Sequence, residues 1–148
     1  HLGLVARLVS PALEVVVRQN AVLDIDLRHT WWQPVLGGPF PLSVADNPFP
    51  GAETFASRIL DGPVRTLGDA FAALSVSRRV LWGNVASALN GAASILAPAR
   101  TLVTRLLAQP PLADTSTIVD GRFLRRSCCL IYQAAAPLCG DCVLRSSS

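Results

Sequence analysis

Four cysteines lie within fifteen residues near the end of this 148-residue chain, and none of the preceding 127 residues is a cysteine. Cys128 and Cys129 are adjacent, and after nine further residues Cys139 and Cys142 form a Cys-x-x-Cys pair. Such a dense group constrains the fold of its segment. Thiols this close in sequence bind a metal, pair with one another or remain as buried or reactive side chains.

An iron–sulfur cluster is the first interpretation of this spacing, because four thiolates suffice for one [2Fe–2S] or [4Fe–4S] centre. Gly140 permits a tight turn, so that both sulfurs of the Cys-x-x-Cys pair can point to one side. The adjacent pair needs a bend in the backbone, since neighbouring side chains of an extended strand point to opposite faces. A two-iron cluster spreads its ligands more widely than a single ion does and therefore suits an adjacent pair better.

Three other interpretations stay open at this point. A structural zinc usually has two knuckles of the Cys-x-x-Cys kind, which the adjacent pair fits poorly. Disulfides are typical of secreted proteins, whereas residues 1–18 lack the basic and apolar regions of a signal peptide. Four buried or redox-active thiols would need no ligand at all.

The length and composition indicate one globular domain rather than a disordered tail, since 51% of the residues are hydrophobic and 16% are charged. The net charge is +3, and all 13 basic residues are arginine. Arginines never occur more than two in a row, and no RNA-binding aromatic motif is present, so we expect no nucleic-acid partner.

Residues 80–99 are uncharged and about long enough to span a bilayer, but Asn84, Ser87, Asn90 and Ser94 interrupt them. We therefore expect no membrane span and leave peripheral membrane association open. The pattern predicts an amphipathic helix with an apolar side and a side of small and polar residues. The apolar side comprises Leu81, Val85, Ala88, Leu89, Ala92, Ile95 and Leu96; the small-residue side comprises Gly83, Asn84, Ser87, Asn90, Gly91 and Ser94.

The fold class predicted is α+β and mainly helical, with a short β-hairpin region and a small C-terminal unit that carries the cysteines. Three prolines and Gly37-Gly38 in residues 28–44 indicate short strands joined by a turn, and residues 45–51 indicate a loop. Residues 122–132 have strand character. The predicted helices cover residues 4–19, 52–60, 64–75, 77–97 and 98–108. Ser10-Pro11 offers an alternative start for the first of them.

Pro110-Pro111 is the clearest boundary signal in the chain. We predict a mainly helical body over residues 1–111 and a C-terminal segment over residues 112–148 that binds the metal or cluster.

Two blocks of the sequence resemble one known family. GRFLRRSCCLIYQAAAPLCGDCVL, residues 121–144, resembles the C-terminal [2Fe–2S] signature of the FhuF-like ferric-siderophore reductases, although its nine-residue spacer is one residue shorter than the commonest form. LWGNVASALNGAASIL, residues 81–96, is similar to the Trp-Gly-Asn helix of that family, and residues 31–44 are similar more loosely. Family members are usually longer at the N-terminus, so we expect that this chain, which starts at His1, is truncated there.

The resemblance implies a [2Fe–2S] cluster held by Cys128, Cys129, Cys139 and Cys142, and the one-electron reduction of Fe(III) in a siderophore complex. No nucleotide-binding or flavin-binding motif is present, so the electron has to come from a partner protein or a small reductant. The resemblance also implies that the protein is cytoplasmic, with the inner face of the plasma membrane as a further location.

Five residues are candidates for substrate binding: Arg122, Arg125, Arg126, Trp82 and Asn84. Arginines beside the cysteines would raise the potential of a cluster and attract anionic ferric complexes. Trp82 offers a flat ring to a catecholate or hydroxamate ligand, and Asn84 offers an amide. Two other functions remain: a siderophore- or partner-binding module with a structural zinc, and a [2Fe–2S] electron carrier or sensor.

Overall fold

A computed structural model describes residues 1–36, 41–44, 48–129 and 137–144. Within these ranges the chain is mainly helical with three two-stranded antiparallel sheets, β1–β4, β2–β3 and β5–β6, as the predicted α+β class requires. The helices are α1 (Leu2–Gln19), α2 (Arg65–Ala73), α3 (Arg78–Ile95) and α4 (Arg100–Leu107). The strands are β1 (Ala21–Leu23), β2 (Trp31–Trp32), β3 (Leu42–Ser43), β4 (Pro48–Pro50), β5 (Ser116–Val119) and β6 (Arg122–Arg125).

The core lies between α1 and α3, the two longest helices, each of 18 residues. Apolar residues recur at helical spacing along α1, and its buried side chains are Val5, Leu8, Val9, Ala12 and Leu13. They pack with the apolar side of α3, where Val85, Ala88, Leu89 and Ala92 are buried. Pro11 is inside α1 and exposed, so the alternative that a helix starts at Ser10 is wrong. Burial of the apolar face outweighs the proline's cost of about 3 kcal/mol.

Residues 45–51 were predicted to form a loop. This is wrong for Pro48–Pro50, which form strand β4. Asn20 ends α1 in the left-handed conformation, with φ of 50°, and turns the chain into β1. Ala21, Val22 and Leu23 then pair with Pro50, Phe49 and Pro48. A two-stranded sheet consists of edge strands, which is where proline is tolerated.

Strands were also predicted within residues 28–44, and β2 pairs with β3 through Trp31 with Ser43 and Trp32 with Leu42. Both tryptophans are 63% exposed. The turn predicted at Gly37-Gly38 lies outside the described residues.

The predicted helix at 52–60 is a 3₁₀ turn, Ala52–Thr54, followed by a π-helical segment, Ala56–Val64, that kinks at Gly62 before Pro63. The helix α3 ends at Ile95, two residues before the predicted end. Ile95 is 85% exposed, so its placement on the buried side is wrong. Pro98 lies in a 3₁₀ turn, Ala97–Ala99, before α4.

The hairpin β5–β6 has one strand that was not predicted, β5. Asp120 and Gly121 connect the strands with positive φ angles of 49° and 74°, the combination that a tight hairpin turn needs. The predicted strand at 122–132 ends at Arg125, and residues 130–132 lie outside the described part. Among the described residues, no helix is both long and apolar enough to cross a membrane.

Candidate metal centre

The small-residue side of α3 is covered, near its N-terminal end, by the segment that carries the cysteines. Gly83 and Asn84 are buried there, and Ser87 is half-buried. Gly83 lies against Ser127, Asn84 hydrogen-bonds to Arg125, and Ser87 hydrogen-bonds to Asp141. The amphipathic pattern therefore provides two packing faces, one for α1 and one for the cysteine segment.

Arg125 is the largest fully buried side chain among the described residues, with 1% of its side chain exposed. Its Nη1 donates a short hydrogen bond to Asn84 Oδ1, and its Nε lies 3.8 Å from Asp141 Oδ2. The sequence suggested Arg125 and Asn84 as substrate-binding residues. In the structure both side chains are buried and hydrogen-bond to each other.

Asp141 connects the Cys-x-x-Cys turn to both β6 and α3. Its main-chain oxygen accepts a 3.0 Å hydrogen bond from the Arg125 N–H, and its carboxylate accepts one from Ser87 Oγ. The Cys142 N–H donates to the Cys139 oxygen at 3.2 Å, which closes the turn around Asp141. We refer to Asn84, Ser87, Arg125 and Asp141 as the Arg125 network.

The charge of Arg125 is only partly compensated. Its Nε and Nη2 are buried and have no hydrogen-bond acceptor among the described residues. Burial of a cation without close partners is costly, and removal of one partner of a buried ion pair costs about 3–5 kcal/mol of stability. The network therefore places a buried ion pair, Arg125 with Asp141, at the base of the Cys-x-x-Cys turn.

Each residue of the Trp-Gly-Asn sequence has a separate structural role. Trp82 is half-buried against the core, and the Arg65 guanidinium lies 5.4 Å from its ring centroid. Gly83 permits a close approach, since a Cβ there would lie 2.5 Å from Ser127 Oγ. Ser127 Oγ in turn donates to the Arg79 oxygen at 3.2 Å. Asn84 holds Arg125, so Gly83 and Asn84 dock the cysteine segment onto α3, whereas Trp82 packs against the core.

Two of the four sulfurs are close together: Cys129 Sγ lies 3.7 Å from Cys139 Sγ. A disulfide bond would be about 2.05 Å long. Two sulfur ligands of one tetrahedral ion, each about 2.3 Å from the metal, lie about 3.8 Å apart. The separation of Cys129 and Cys139 is thus too long for a disulfide; it is that of two thiols in hydrogen-bond contact, and it also matches two ligands on one metal ion.

The other two cysteines are half-buried and buried. Cys142 is 2% exposed beside the Arg125 network, and Cys128 is half-buried.

Burial, the Cys129 thiol and the Asp141 carboxylate raise the pKa of the Cys139 thiol to about 12. Without a cation beside it this thiol keeps its proton, and metal binding has to displace that proton.

The residues present fit a two-iron cluster. Within the described ranges no three potential ligands converge as they would around one ion. Cys128, Cys129, Cys139 and Cys142 would hold such a cluster, and the sulfurs of Cys129 and Cys139 already lie in contact. The donor set of four thiols is the one that such a cluster takes.

Of the three remaining candidates, Arg126 and Trp82 line one cleft, and Arg122 lies elsewhere. Arg122 is exposed on the hairpin. Arg126 has 47% of its side chain exposed, lies 3.6 Å from Asp114, and lines an open cleft of about 400 Å³ together with Trp82. Arg78 and Arg79, which were not among the candidates, line the same cleft. The adjacency of Arg78-Arg79 to Trp82 in the sequence was the signal that would have found them.

The comparison with known families decides the nature of the centre. Residues 125–144 match the family model of the FhuF 2Fe-2S C-terminal domain. The match begins at Arg125 and includes all four cysteines. A FhuF 2Fe-2S domain indicates a [2Fe–2S] cluster, and the resemblance seen in the sequence is confirmed for this segment. No curated protein matches the chain.

Proposed function

We propose that this chain reduces Fe(III) in a siderophore complex by one electron, with a [2Fe–2S] cluster bound by Cys128, Cys129, Cys139 and Cys142. The observation that carries the proposal is the docked cysteine segment, in which the Cys129 and Cys139 sulfurs lie 3.7 Å apart. The match to the FhuF 2Fe-2S domain over residues 125–144 supports it.

The chemistry needs little more than one electron. Siderophores present hard oxygen donors, which hold Fe(III) far more tightly than Fe(II). An external reductant loses one electron, Fe(III) becomes Fe(II), and only iron–oxygen coordination bonds break. When bound, a [2Fe–2S] cluster supplies electrons singly. The organic ligand needs no hydrolysis and is released intact.

The protein's own residues position and tune the centre. The Arg125 network fixes the Cys-x-x-Cys turn to α3 through Asp141, so that two of the four thiolates are held on the core helix. The buried guanidinium of Arg125 pairs with Asp141 and so offsets the carboxylate that lies between Cys139 and Cys142. Arg125 and Asn84 are thus positioning residues in this proposal, and they do not contact the substrate.

The electron donor in this proposal is a partner protein or a small reductant. We place the protein in the cytoplasm, since reducing compartments keep thiols available for clusters. Peripheral contact with the inner face of the plasma membrane is part of the same proposal. The exposed Trp31 and Trp32 support it, because tryptophan is enriched at membrane interfaces.

The test is anaerobic purification with iron, sulfide and zinc assayed on one sample, followed by visible and EPR spectroscopy. We expect two irons and two sulfides per chain. Dithionite should produce a spin-half signal that disappears when a ferric siderophore is added. A colourless protein with one zinc would overturn the cluster and favour a binding module.

A second candidate function is an electron carrier or sensor without a substrate site, because the matched domain specifies the cluster alone. The same sample distinguishes it. A reduced cluster that ferric siderophores do not oxidise, but that an artificial one-electron acceptor oxidises rapidly, would favour the carrier and contradict the reductase.

A further inference from the structure

The open cleft beside Trp82 is rich in positive charge. Arg78, Arg79 and Arg126 line it, and Asp114 is the one acidic residue among its described lining. The three guanidinium groups therefore outnumber the carboxylate. The cleft also lies at the N-terminal end of α3, where the helix dipole adds positive potential. Its volume of about 400 Å³ is within the range of small-molecule sites.

Two of these arginines have charge available for a ligand. Arg79 makes no ion pair among the described residues, and Arg126 lies 3.6 Å from an Asp114 side chain that is 89% exposed, which is a weak pair. Arg78 donates to Asp69 at 2.7 Å and contributes less. An anion in the cleft would therefore meet Arg79 and Arg126 first.

The cleft adjoins the cysteine segment. Arg126 precedes Cys128 by two residues, so their Cα atoms are at most about 7 Å apart. Ser127, between them, is held to α3 by its hydrogen bond to the Arg79 oxygen. On the opposite side of the cleft, the main-chain N–H of Arg126 donates to the Thr115 oxygen at 2.8 Å and holds these two lining residues together. A ligand in the cleft thus lies beside the segment that carries the electron.

We infer that this cleft binds ferric chelates of net negative charge, such as catecholate complexes, in preference to neutral or cationic ones. The inference rests on the proposed function and adds the charge class of its substrate and the residues that select it. Arg79 and Arg126 provide the charge selectivity, and Trp82 provides an apolar wall for an aromatic ligand. Electrostatic attraction also concentrates the anionic chelate at the cleft before it binds.

The test measures binding separately from electron transfer by using gallium(III) complexes, which have the charge and shape of ferric complexes but are not reduced. The probes are an anionic gallium tris-catecholate and a gallium trihydroxamate whose ligand carries a protonated amine and is therefore cationic; both are titrated calorimetrically into the cluster-loaded protein. We expect the anionic complex to bind at least about tenfold more tightly, and we expect added salt to weaken its binding. The salt dependence is measured on the unmodified protein and does not depend on any variant folding.

Variants assign the selectivity to the cleft. Arg79→Gln and Arg126→Gln should each weaken binding of the anionic complex by about three- to tenfold and leave the cationic complex unchanged or slightly tighter. Arg105→Gln, an exposed arginine on α4 outside the cleft, is the matched control and should change neither. Equal binding of both complexes by the unmodified protein, or equal loss in Arg105→Gln, would overturn the inference.

Failure of the proposed function gives a different result. If the protein binds the anionic gallium complex selectively but its reduced cluster is not oxidised by the matching ferric complex, the reductase is wrong and the cleft is an anion site. If ferric complexes of every charge oxidise the cluster at equal rates and bind equally, the reductase stands and the charge selectivity is wrong.

Discussion

Arg125 donates a hydrogen bond from its Nη1 to Asn84 Oδ1 and thereby connects strand β6 to helix α3 across 41 residues of sequence. This contact sets the position of the Cys-x-x-Cys turn, because Asp141 contacts the same guanidinium and the same helix. The centre is therefore built on the core helix through a buried polar network.

Arg125→Met should lower the free energy of unfolding by about 3 kcal/mol, since it leaves Asp141 half-buried without its cation. Asn84→Leu should cost a similar amount because it leaves the buried guanidinium with a single distant partner. Chemical denaturation of both variants and of the double variant measures the coupling. Arg122→Gln, on the exposed end of the same strand, is the control. Strictly additive losses would contradict the direct contact.

Gly83→Ala should destabilise the protein by about 1–2 kcal/mol, because its Cβ would displace the Ser127 hydroxyl. In a Ser127→Ala background the same change should be neutral or stabilising, since alanine is the better helix former by about 1 kcal/mol. Gly91→Ala in the same helix meets nothing within 4 Å and should stabilise in both backgrounds. Thermal unfolding of the five variants tests this sign change, and a loss at Gly83 that Ser127→Ala does not relieve would refute it.

Replacement of any of Cys128, Cys129, Cys139 or Cys142 with serine should abolish the visible absorption of the cluster or weaken it severely. Iron and sulfide assays on each variant accompany the spectra. Unchanged spectra in both Cys128→Ser and Cys129→Ser would show that four thiolates do not hold the cluster.

Asp141→Asn should raise the reduction potential of the cluster, because it removes a negative charge from the Cys-x-x-Cys turn and the reduced cluster is the more negative form. Arg126→Gln should lower the potential by a smaller amount, since its side chain is half exposed and better screened. An EPR-monitored redox titration measures both shifts. Shifts of the same sign would show that charge at these positions does not set the potential.

Much of the site was predictable from local sequence patterns. The spacing of the cysteines indicated a metal or cluster site, and the resemblance to the FhuF-like family implied a [2Fe–2S] centre. The helical periodicity of α1 and α3 predicted the two helices that form the core. The grouping of Gly83, Asn84 and Ser87 on one side of α3 was also visible, because the residues of a helix face follow from its 3.6-residue period alone.

The partners of that face were decided only by the tertiary structure. Arg125 looked like a surface cation, and its burial depends on Asn84 and Asp141, which lie 41 residues before it and 16 residues after it. Strand β4, with prolines at both ends, looked like a loop until it paired with β1. Local sequence patterns determine which helices and strands form and which residues share a face of each element. Which two polar groups meet in the interior depends on how distant elements pack. Only that packing supplies the partners that offset the cost of burying a charge.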